Sequence, residues 1–372
     1  NRINHVLLHG GSEGINPDEI TIPEMLKEKG YVTKMVGKWH LGDQPEFLPL
    51  QHGFDSFFGL PYSHDIHPEH ERNDLFNFPP LPLIRDNDVI ESNPDRKLLS
   101  ERFTKEAVEF ISNNKDQPFF LYYAHIQAHW PLMPPDEFLK KSENDPYRAC
   151  IEYIDYSTGE ILDALKEAEI EDNTLIICTS DNGTPPRPFG GYNTPLRGYK
   201  RQMWEGGVRV PCIMRWPAKI PEGLVCSELA TQMDIFPALA NITRWVPPPG
   251  RIIDGKNITN LMFGEEHAKS RYEAFYYYFM NDLSAVRSGP WKLVIHEPFN
   301  TDFIGPQLYN LNEDIGETND IADKHPEIVE ELQTLAETAR NDLGDDLVKR
   351  TGENCRPPGK VDHPTLMIPY DK

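Results

Sequence analysis

Apolar and polar residues alternate in blocks along the first two thirds of the chain, and the blocks predict helices between buried strands. Tyr31–Val36 is predicted to be a short strand, and the apolar runs Pro118–Ile126 and Thr174–Thr179 are predicted to be buried strands. Residues 100–113 and 147–168 carry apolar residues at helical spacing. This order predicts an α/β fold, a mostly parallel central sheet with helices on both faces.

Local signals sharpen three parts of this pattern. Thr21-Ile-Pro-Glu24 fits a capping box that opens a short helix ending near Gly30. Cys178, inside the second apolar run, is predicted to lie in the core. Residues 62–94 are rich in Pro, Asn and Asp and lack periodicity, which predicts a long loop.

The pattern changes after about Gly264, so we expect one domain over residues 1–264 and a small α+β subdomain over residues 265–372. An aromatic segment, Tyr272–Met280, is followed by a predicted hairpin around Ser288-Gly-Pro290. Pro326 opens a predicted helix that runs to about Leu343. We expect an antiparallel sheet in this subdomain.

Composition narrows the classes of function. The 372 residues carry a net charge of −22, which argues against binding nucleic acid, a task that needs clustered Lys and Arg. No apolar run approaches the roughly 20 residues of a transmembrane helix. The five cysteines form no C-x-x-C pair, so a zinc or redox motif is not indicated.

Side chains able to do chemistry follow the predicted strands. Lys38 and His40 come after the first strand, His129 after the second, and Asp181-Asn182 after the third, while Lys200 lies in a Gly-rich stretch. Ligands of open α/β sheets bind at the carboxyl ends of strands, so we expect these residues to line one pocket. Asp and Asn oxygens suit a hard cation, lysines suit a tetrahedral oxyanion, and a His can protonate a leaving oxygen. The set indicates hydrolysis of a sulfate or phosphate ester.

At these positions the chain resembles the sulfatase family, specifically its arylsulfatase A-like members. Gly30–Gly42 (GYVTKMVGKWHLG) matches the second sulfatase signature over its whole length. Gly59–Asp65 (GLPYSHD), Thr179–Gly183 (TSDNG) and Trp204–Pro211 (WEGGVRVP) match in the family's order. The resemblance covers nearly the whole chain and implies an alkaline-phosphatase-like fold.

The resemblance also implies roles for single residues. Asp181 and Asn182 would be two ligands of one Ca²⁺ ion, and Lys38 and Lys200 would hold the sulfate oxygens. His129 and Lys200 would lie near the leaving oxygen, with His129 as proton donor. His40 would contact the nucleophile and help break down the sulfated intermediate. Ser63 would touch substrate, although a serine there could equally cap the turn Tyr62–Asp65.

The family's nucleophile is a formylglycine made from Cys or Ser in a C/S-x-P/A-x-R motif that comes before the Lys38 strand. We expect no cysteine or serine of this chain to start that motif, and none does so ahead of Lys38. The resemblance therefore implies that this motif lies upstream of Asn1, within about 15 residues, with the paired aspartates that complete the Ca²⁺ site further upstream. Residues 1–372 alone are then expected to be inactive.

Two alternatives stay open at this point. A phosphoester or phosphonate hydrolase of the same superfamily would use a similar metal and similar lysines. A pseudo-sulfatase that binds sulfated glycans without cleaving them would explain the lack of a nucleophile. The implied partners are a sulfated small molecule or glycan and a formylglycine-generating maturation enzyme. Family analogy places the protein outside the cytoplasm, in a lysosome, a periplasm or the medium.

Overall fold

The computed structural model describes residues 2–3, 5–365 and 367, and it confirms the α/β prediction. The helices are α1 (Ile22–Lys27), α2 (Asn73–Phe76), α3 (Arg96–Asn114), α4 (Asp136–Lys141), α5 (Pro146–Glu167), α6 (Glu205–Val208), α7 (Ile235–Ile242), α8 (Thr259–Met262) and α9 (Pro326–Leu343). The strands are β1 (Glu13–Gly14), β2 (Val32–Lys38), β3 (Ser56–Leu60), β4 (Pro82–Arg85), β5 (Asp88–Ser92), β6 (Phe119–Ala124), β7 (Ile176–Thr179), β8 (Cys212–Arg215), β9 (Phe275–Phe279), β10 (Asp282–Ser288), β11 (Trp291–Val294), β12 (Gln307–Asn310), β13 (Gly344–Asp345), β14 (Arg350–Thr351) and β15 (Gly359–Lys360). None of these helices combines the length and apolar character needed to cross a bilayer.

The described chain divides into two compact units. The first unit comprises residues Leu7–Leu175, Arg215–Ala268 and Pro358–Lys372, and the second comprises Asn1–Val6, Ile176–Met214 and Lys269–Pro357. This division places residues 176–214 with the C-terminal part of the chain, whereas the sequence predicted one break after residue 264. That domain boundary stays a prediction.

The first unit contains a five-stranded mixed sheet in the order β5-β4-β3-β2-β6. β2 pairs in parallel with both β3 and β6, whereas β4 and β5 add an antiparallel edge. Gly37 allows the close approach of β2 to β6, because a Cβ there would lie 1.9 Å from the carbonyl oxygen of Ala124. The carboxyl ends of β2, β3 and β6 therefore open at one edge of the sheet.

Apolar residues cover both faces of this sheet, as the α/β pattern requires. On one face, Val36 and Phe58 pack with Leu99 and Phe103 of α3. On the other face a second apolar cluster forms around Met35, and it includes the aromatic side chains of Phe54 and Phe57. The helix α1 begins at the predicted capping box, in which Thr21 and Glu24 each accept a hydrogen bond from the other's backbone N–H. A third cluster joins α1 to α7.

The second unit contains a four-stranded antiparallel sheet in the order β12-β11-β10-β9, as predicted for the C-terminal part. The predicted hairpin is β10–β11, which turns at Gly289-Pro290. The helix α9 covers one face of this sheet through Leu332 and Ala336. Met203 and Trp204 cover the other face.

Three predictions about burial and loops are wrong. β6 is only partly buried, because it is the edge strand of its sheet. Its Tyr122 is 49% exposed. Cys178 is exposed rather than in the core, because β7 pairs with β8 alone in a two-stranded ribbon. Residues 62–94 are not one loop, since they contain α2 and the hairpin β4–β5. β4 is only four residues long, begins at Pro82 and is buried at three successive positions, so it shows no alternation that would separate it from a loop.

Candidate active site

The segment that carries Lys38 and His40 continues directly from β2. Lys38 is the last residue of the strand, and the next two amides go on bonding the neighbouring segment. The N–H of Trp39 donates to the carbonyl of Leu60, and the N–H of His40 donates to the carbonyl of Pro61, both at 3.0 Å. His40 turns the chain away with a φ of 64°. These backbone bonds hold His40 beside the loop that begins at Tyr62.

His40 is neutral at physiological pH. Burial first, and then the charge of Lys38, lower the pKa of its imidazole to about 4 against the opposing effect of Asp65. His129 and His9 also act on the pKa of His40. His40 bonds the backbone just before the Ser63 loop, and Asp65 of that loop lies 3.8 Å from Nδ1 of His129, so these residues of the first unit lie near one another. A neutral imidazole there can accept a proton.

Ser63 and His129 are in direct contact. The Ser63 hydroxyl oxygen lies 3.2 Å from Nδ1 of His129, and the carbonyl oxygen of Trp130 lies 2.7 Å from the same nitrogen. Ser63 is buried, with 3% of its surface exposed, in the loop that follows β3. His129 lies in the loop that follows β6. The segments that carry Lys38, His40, Ser63 and His129 thus lie together at the ends of β2, β3 and β6, while the roles of these residues stay predictions.

Two charged or titratable neighbours in the Ser63 loop were not identified from the sequence. His64 is fully buried, its Nε2 lies 2.9 Å from the carbonyl oxygen of Pro131, and burial lowers its pKa to about 4. Burial opposes ionisation of Asp65, but a hydrogen bond from Ser63 and the charge that His129 can carry hold the pKa of Asp65 below its ordinary value. Asp65 is therefore an anion beside His129. The only sequence signal was adjacency, since both residues belong to the quoted segment GLPYSHD.

The second unit positions Asp181, Asn182 and Lys200. Asp181 is exposed at the end of β7, where its carboxylate accepts the N–H of Asn182 at 3.0 Å. The N–H of Lys200 donates to the carbonyl of Thr184 at 3.2 Å. Thr184 is two residues past Asn182, so this hydrogen bond holds the backbone of Lys200 next to the segment that follows the Asp181-Asn182 turn. Within the second unit, the structure therefore joins two segments that the sequence separates by about twenty residues.

A buried charge cluster supports the loop that carries Lys200. The ammonium of Lys292 lies 3.0 Å from Glu205 and 2.8 Å from Glu317, and it also donates to the carbonyl of Met203 at 2.8 Å. All three charged side chains are at most 2% exposed. The N–H of Glu205 donates to Glu317 at 2.7 Å, and the hydroxyl of Tyr277 donates to Glu205 at 3.2 Å. We call Lys292, Glu205 and Glu317 the lysine–glutamate cluster.

Metal binding was predicted at Asp181 and Asn182. Their oxygens are hard ligands of the kind that Ca²⁺ takes, but the ion needs 6–8 oxygens. Within the described residues, no group of three or more His, Cys, Asp or Glu side chains is arranged to hold a metal ion. The chemistry of Asp181 and Asn182 therefore fits part of a Ca²⁺ site.

The expectation that no cysteine or serine of this chain starts the nucleophile motif is wrong, because the five-residue pattern occurs once, at Ser92-Asn-Pro-Asp-Arg96. It follows the Lys38 segment instead of preceding it. Ser92 is exposed at the end of β5. The side chain of Asp95 caps α3 by accepting the N–H of Lys97, and Arg96 is the first residue of that helix. These residues serve a helix start, which explains the pattern without a modified serine.

Comparison with known proteins identifies the family of the chain. The sulfatase family profile matches residues 2–244, and the profile of the C-terminal part of N-sulphoglucosamine sulphohydrolase matches residues 198–342. The N-acetylgalactosamine-6-sulfatase of Canis lupus familiaris is 37% identical over 294 residues, which cover 75% of this chain and 55% of that protein. Human arylsulfatase A is 31% identical over 381 residues, covering 89% of this chain and 73% of that protein.

A solved structure is similar over most of the chain. The PsFucS1 sulfatase from Pseudoalteromonas sp. superposes with a TM-score of 0.79 at 28% identity, covering 90% of this chain and 76% of that one. The chain spans about half the length of several curated relatives that it matches. The family profile covers more than half of the chain, and its motifs lie at the ends of β2, β3, β6 and β7. The chain therefore belongs to the sulfatase family.

Proposed function

We propose that the protein hydrolyses sulfate esters, with its own residues binding the sulfate and moving protons around it. The observation that carries this proposal is the grouping of Lys38, His40, Ser63 and His129 at the carboxyl ends of three neighbouring strands. An ammonium group and two imidazoles suit an anionic ester whose oxygens gain charge during transfer.

The proposed roles follow the chemistry of each side chain. Lys38 and Lys200 bind sulfate oxygens and offset their charge. His129 gives a proton to the leaving oxygen, helped by Lys200, and Ser63 helps to bind the substrate. His40 has a pKa of about 4 and is therefore neutral, so it can accept the proton released when the sulfated intermediate breaks down.

Two further groups complete the proposal. A formylglycine, made by a maturation enzyme from a C/S-x-P/A-x-R motif ahead of the Lys38 segment, would supply the oxygen that attacks sulfur. One Ca²⁺ ion, held in part by Asp181 and Asn182, would neutralise charge on the sulfate. We do not assign the formylglycine to Ser92, which is exposed at the end of β5, shortly before the start of α3.

The proposed substrate is a sulfated sugar. A relative at 37% identity is named N-acetylgalactosamine-6-sulfatase, which supports a sulfated sugar. The similarity to human arylsulfatase A supports an aryl sulfate as the alternative substrate. We propose an extracytoplasmic location, where sulfated glycans occur.

The test uses the full-length protein matured with a formylglycine-generating enzyme. Turnover of nitrophenyl sulfate well above that of nitrophenyl phosphate is expected. The reverse preference would favour the phosphoester or phosphonate hydrolase, whereas binding of sulfated glycans without turnover would favour the pseudo-sulfatase.

A pair of serine and upstream variants locates the nucleophile. Ser92→Ala is expected to leave turnover unchanged, and replacing the motif residue upstream of Asn1 is expected to abolish it. Loss of activity in Ser92→Ala, together with an aldehyde detected at Ser92 by mass spectrometry, would contradict the assignment.

A further inference from the structure

Asp65 has a carboxylate oxygen in an unusual position. Its Oδ1 is buried and forms no hydrogen bond among the described residues, although it lies 3.8 Å from Nδ1 of His129. A buried carboxylate oxygen is costly unless a positive charge lies close to it. His129 is a ring that can carry such a charge, so the position of Asp65 indicates a protonated partner.

The contacts of His129 determine which nitrogen keeps its proton. A carbonyl oxygen can only accept, so the 2.7 Å contact with Trp130 requires a proton on Nδ1 of His129. The Ser63 oxygen lies 3.2 Å from the same nitrogen, so with Nδ1 protonated the Ser63 oxygen is the acceptor in that contact. The Ser63 hydroxyl is then available to donate a hydrogen bond to the Asp65 carboxylate, and such a bond favours the Asp65 anion. The proton that His129 transfers must come from Nε2.

Three other titratable or charged neighbours among the described residues, His64, His40 and Arg96, are neutral or positively charged. His64 lies with its ring centre 5.9 Å from that of His129, and both His64 and His40 are neutral because burial lowers each pKa to about 4. Arg96 acts on His64 and Asp65, and its guanidinium contacts the carbonyl of His64. Among these neighbours, Asp65 is the one group whose charge stabilises the protonated form of His129.

We propose that Asp65, acting directly and through Ser63, is a positioning residue that fixes the Nδ1–H form of His129 and favours the doubly protonated ring needed for catalysis. This inference rests on the proposed function. As the sulfur–oxygen bond breaks, its electron pair goes to the ester oxygen, and the proton on Nε2 of His129 moves to that oxygen. Nδ1 keeps its proton and Asp65 keeps its charge. Ser63 then serves as a link to His129 in addition to any contact with substrate.

The test compares Asp65→Asn with Glu71→Gln in the full-length matured enzyme. Glu71 is an exposed carboxylate in the same loop, so it matches the change in charge without touching His129. Two substrates are used, a sugar sulfate with a poor leaving group and nitrophenyl sulfate, whose leaving group needs little protonation. Asp65→Asn is expected to lower kcat for the sugar sulfate by about 100-fold and for nitrophenyl sulfate by less than about 3-fold.

The pH profile supplies a second readout. A general acid works only while protonated, so activity falls as pH rises through its pKa. Removing the Asp65 charge lowers that pKa, so the falling limb should move to lower pH by about one unit or more. In a His129→Ala background, Asp65→Asn should cause no further loss.

Equal losses on the two substrates, or an unmoved falling limb, would overturn the inference, as would the same result from Glu71→Gln. If the unmodified enzyme turns over no sulfate ester, the proposed function fails instead. Ser63→Ala supplies an independent variant if Asp65→Asn folds poorly, and it should show the same dependence on leaving group with a smaller loss.

Discussion

Replacing Lys292 by Met tests how strongly the lysine–glutamate cluster stabilises the second unit. The substitution keeps most of the aliphatic volume of the side chain and removes its ammonium. Glu205 and Glu317 would then remain buried without the cation that lies within 3.0 Å of both. Removing one partner of a buried ion pair typically costs about 3–5 kcal/mol.

The expected cost lies near the lower end of that range. Glu205 keeps the Tyr277 hydroxyl at 3.2 Å and weaker contacts with Arg287 and Arg209 at 3.8 Å. We therefore expect the free energy of unfolding to fall by about 3 kcal/mol at pH 7. Equilibrium urea denaturation followed by tryptophan fluorescence measures this, because Trp204 packs against the same sheet.

The pH dependence of the loss separates charge from packing. Despite burial, Lys292 holds the pKa of Glu205 below its ordinary value, whereas burial raises the pKa of Glu317. Without the ammonium both carboxyls should have raised pKa values, and a raised carboxyl pKa gives stability that is lost as pH rises. The difference between Lys292→Met and the unmodified protein should then narrow from pH 7 to pH 5.

The matched control is Lys324→Met, which removes an exposed ammonium from the same unit and should change the free energy by less than about 0.5 kcal/mol. A loss below about 1 kcal/mol for Lys292→Met, or a loss of the same size at pH 5 and pH 7, would refute the electrostatic reasoning.

Three other predictions concern activity, acid stability and metal binding. Lys200→Ala should lower kcat about 100-fold with little change in KM, because the ammonium meets charge that develops on the leaving oxygen, and steady-state kinetics showing only a raised KM would reject that role. Burial lowers the pKa of His125 to about 4, so the free energy of unfolding should fall by up to about 1.4 kcal/mol per pH unit from pH 6.5 toward pH 4. Urea titrations should show a flatter pH dependence for His125→Gln, and an unchanged slope would contradict this. Calorimetry should show weak Ca²⁺ binding by residues 1–372 and tight binding by the complete protein, since Asp181 and Asn182 supply two ligands, and tight binding by residues 1–372 would mean that the ligands are misassigned.

The fold was predictable where the sequence pattern is local. The capping box at Thr21 and the helix from Pro326 to Leu343 follow from residues that lie next to one another. The parallel strands β2 and β6 follow from apolar runs of suitable length. By contrast, the exposure of Cys178 depends on which strands pair with β7, and an apolar run alone does not carry that information.

The candidate site was predictable as a set of motifs but not as a set of contacts. Lys38, His40 and His129 could be proposed from the sequence because each lies at or just after the carboxyl end of a predicted strand. Asp65 could not, because its effect depends on a 3.8 Å approach to a residue 64 positions away in the chain. Lys292 shows the same limit, since nothing in its local sequence indicates that its ammonium is fully buried.

The discontinuous second unit has a consequence for recombination between relatives. The lysine–glutamate cluster joins Glu205, in residues 176–214, to partners in residues 269–357. A chimaera that exchanged only residues 265–372 would set a foreign sheet against the native Glu205 and would break the pairing unless the donor carried a matching lysine. The smallest segment pair that can be exchanged intact is residues 176–214 together with residues 269–357. We therefore expect substitutions at positions 205 and 292 to occur together among relatives. A change at either position alone leaves the other as a buried charge without its partner.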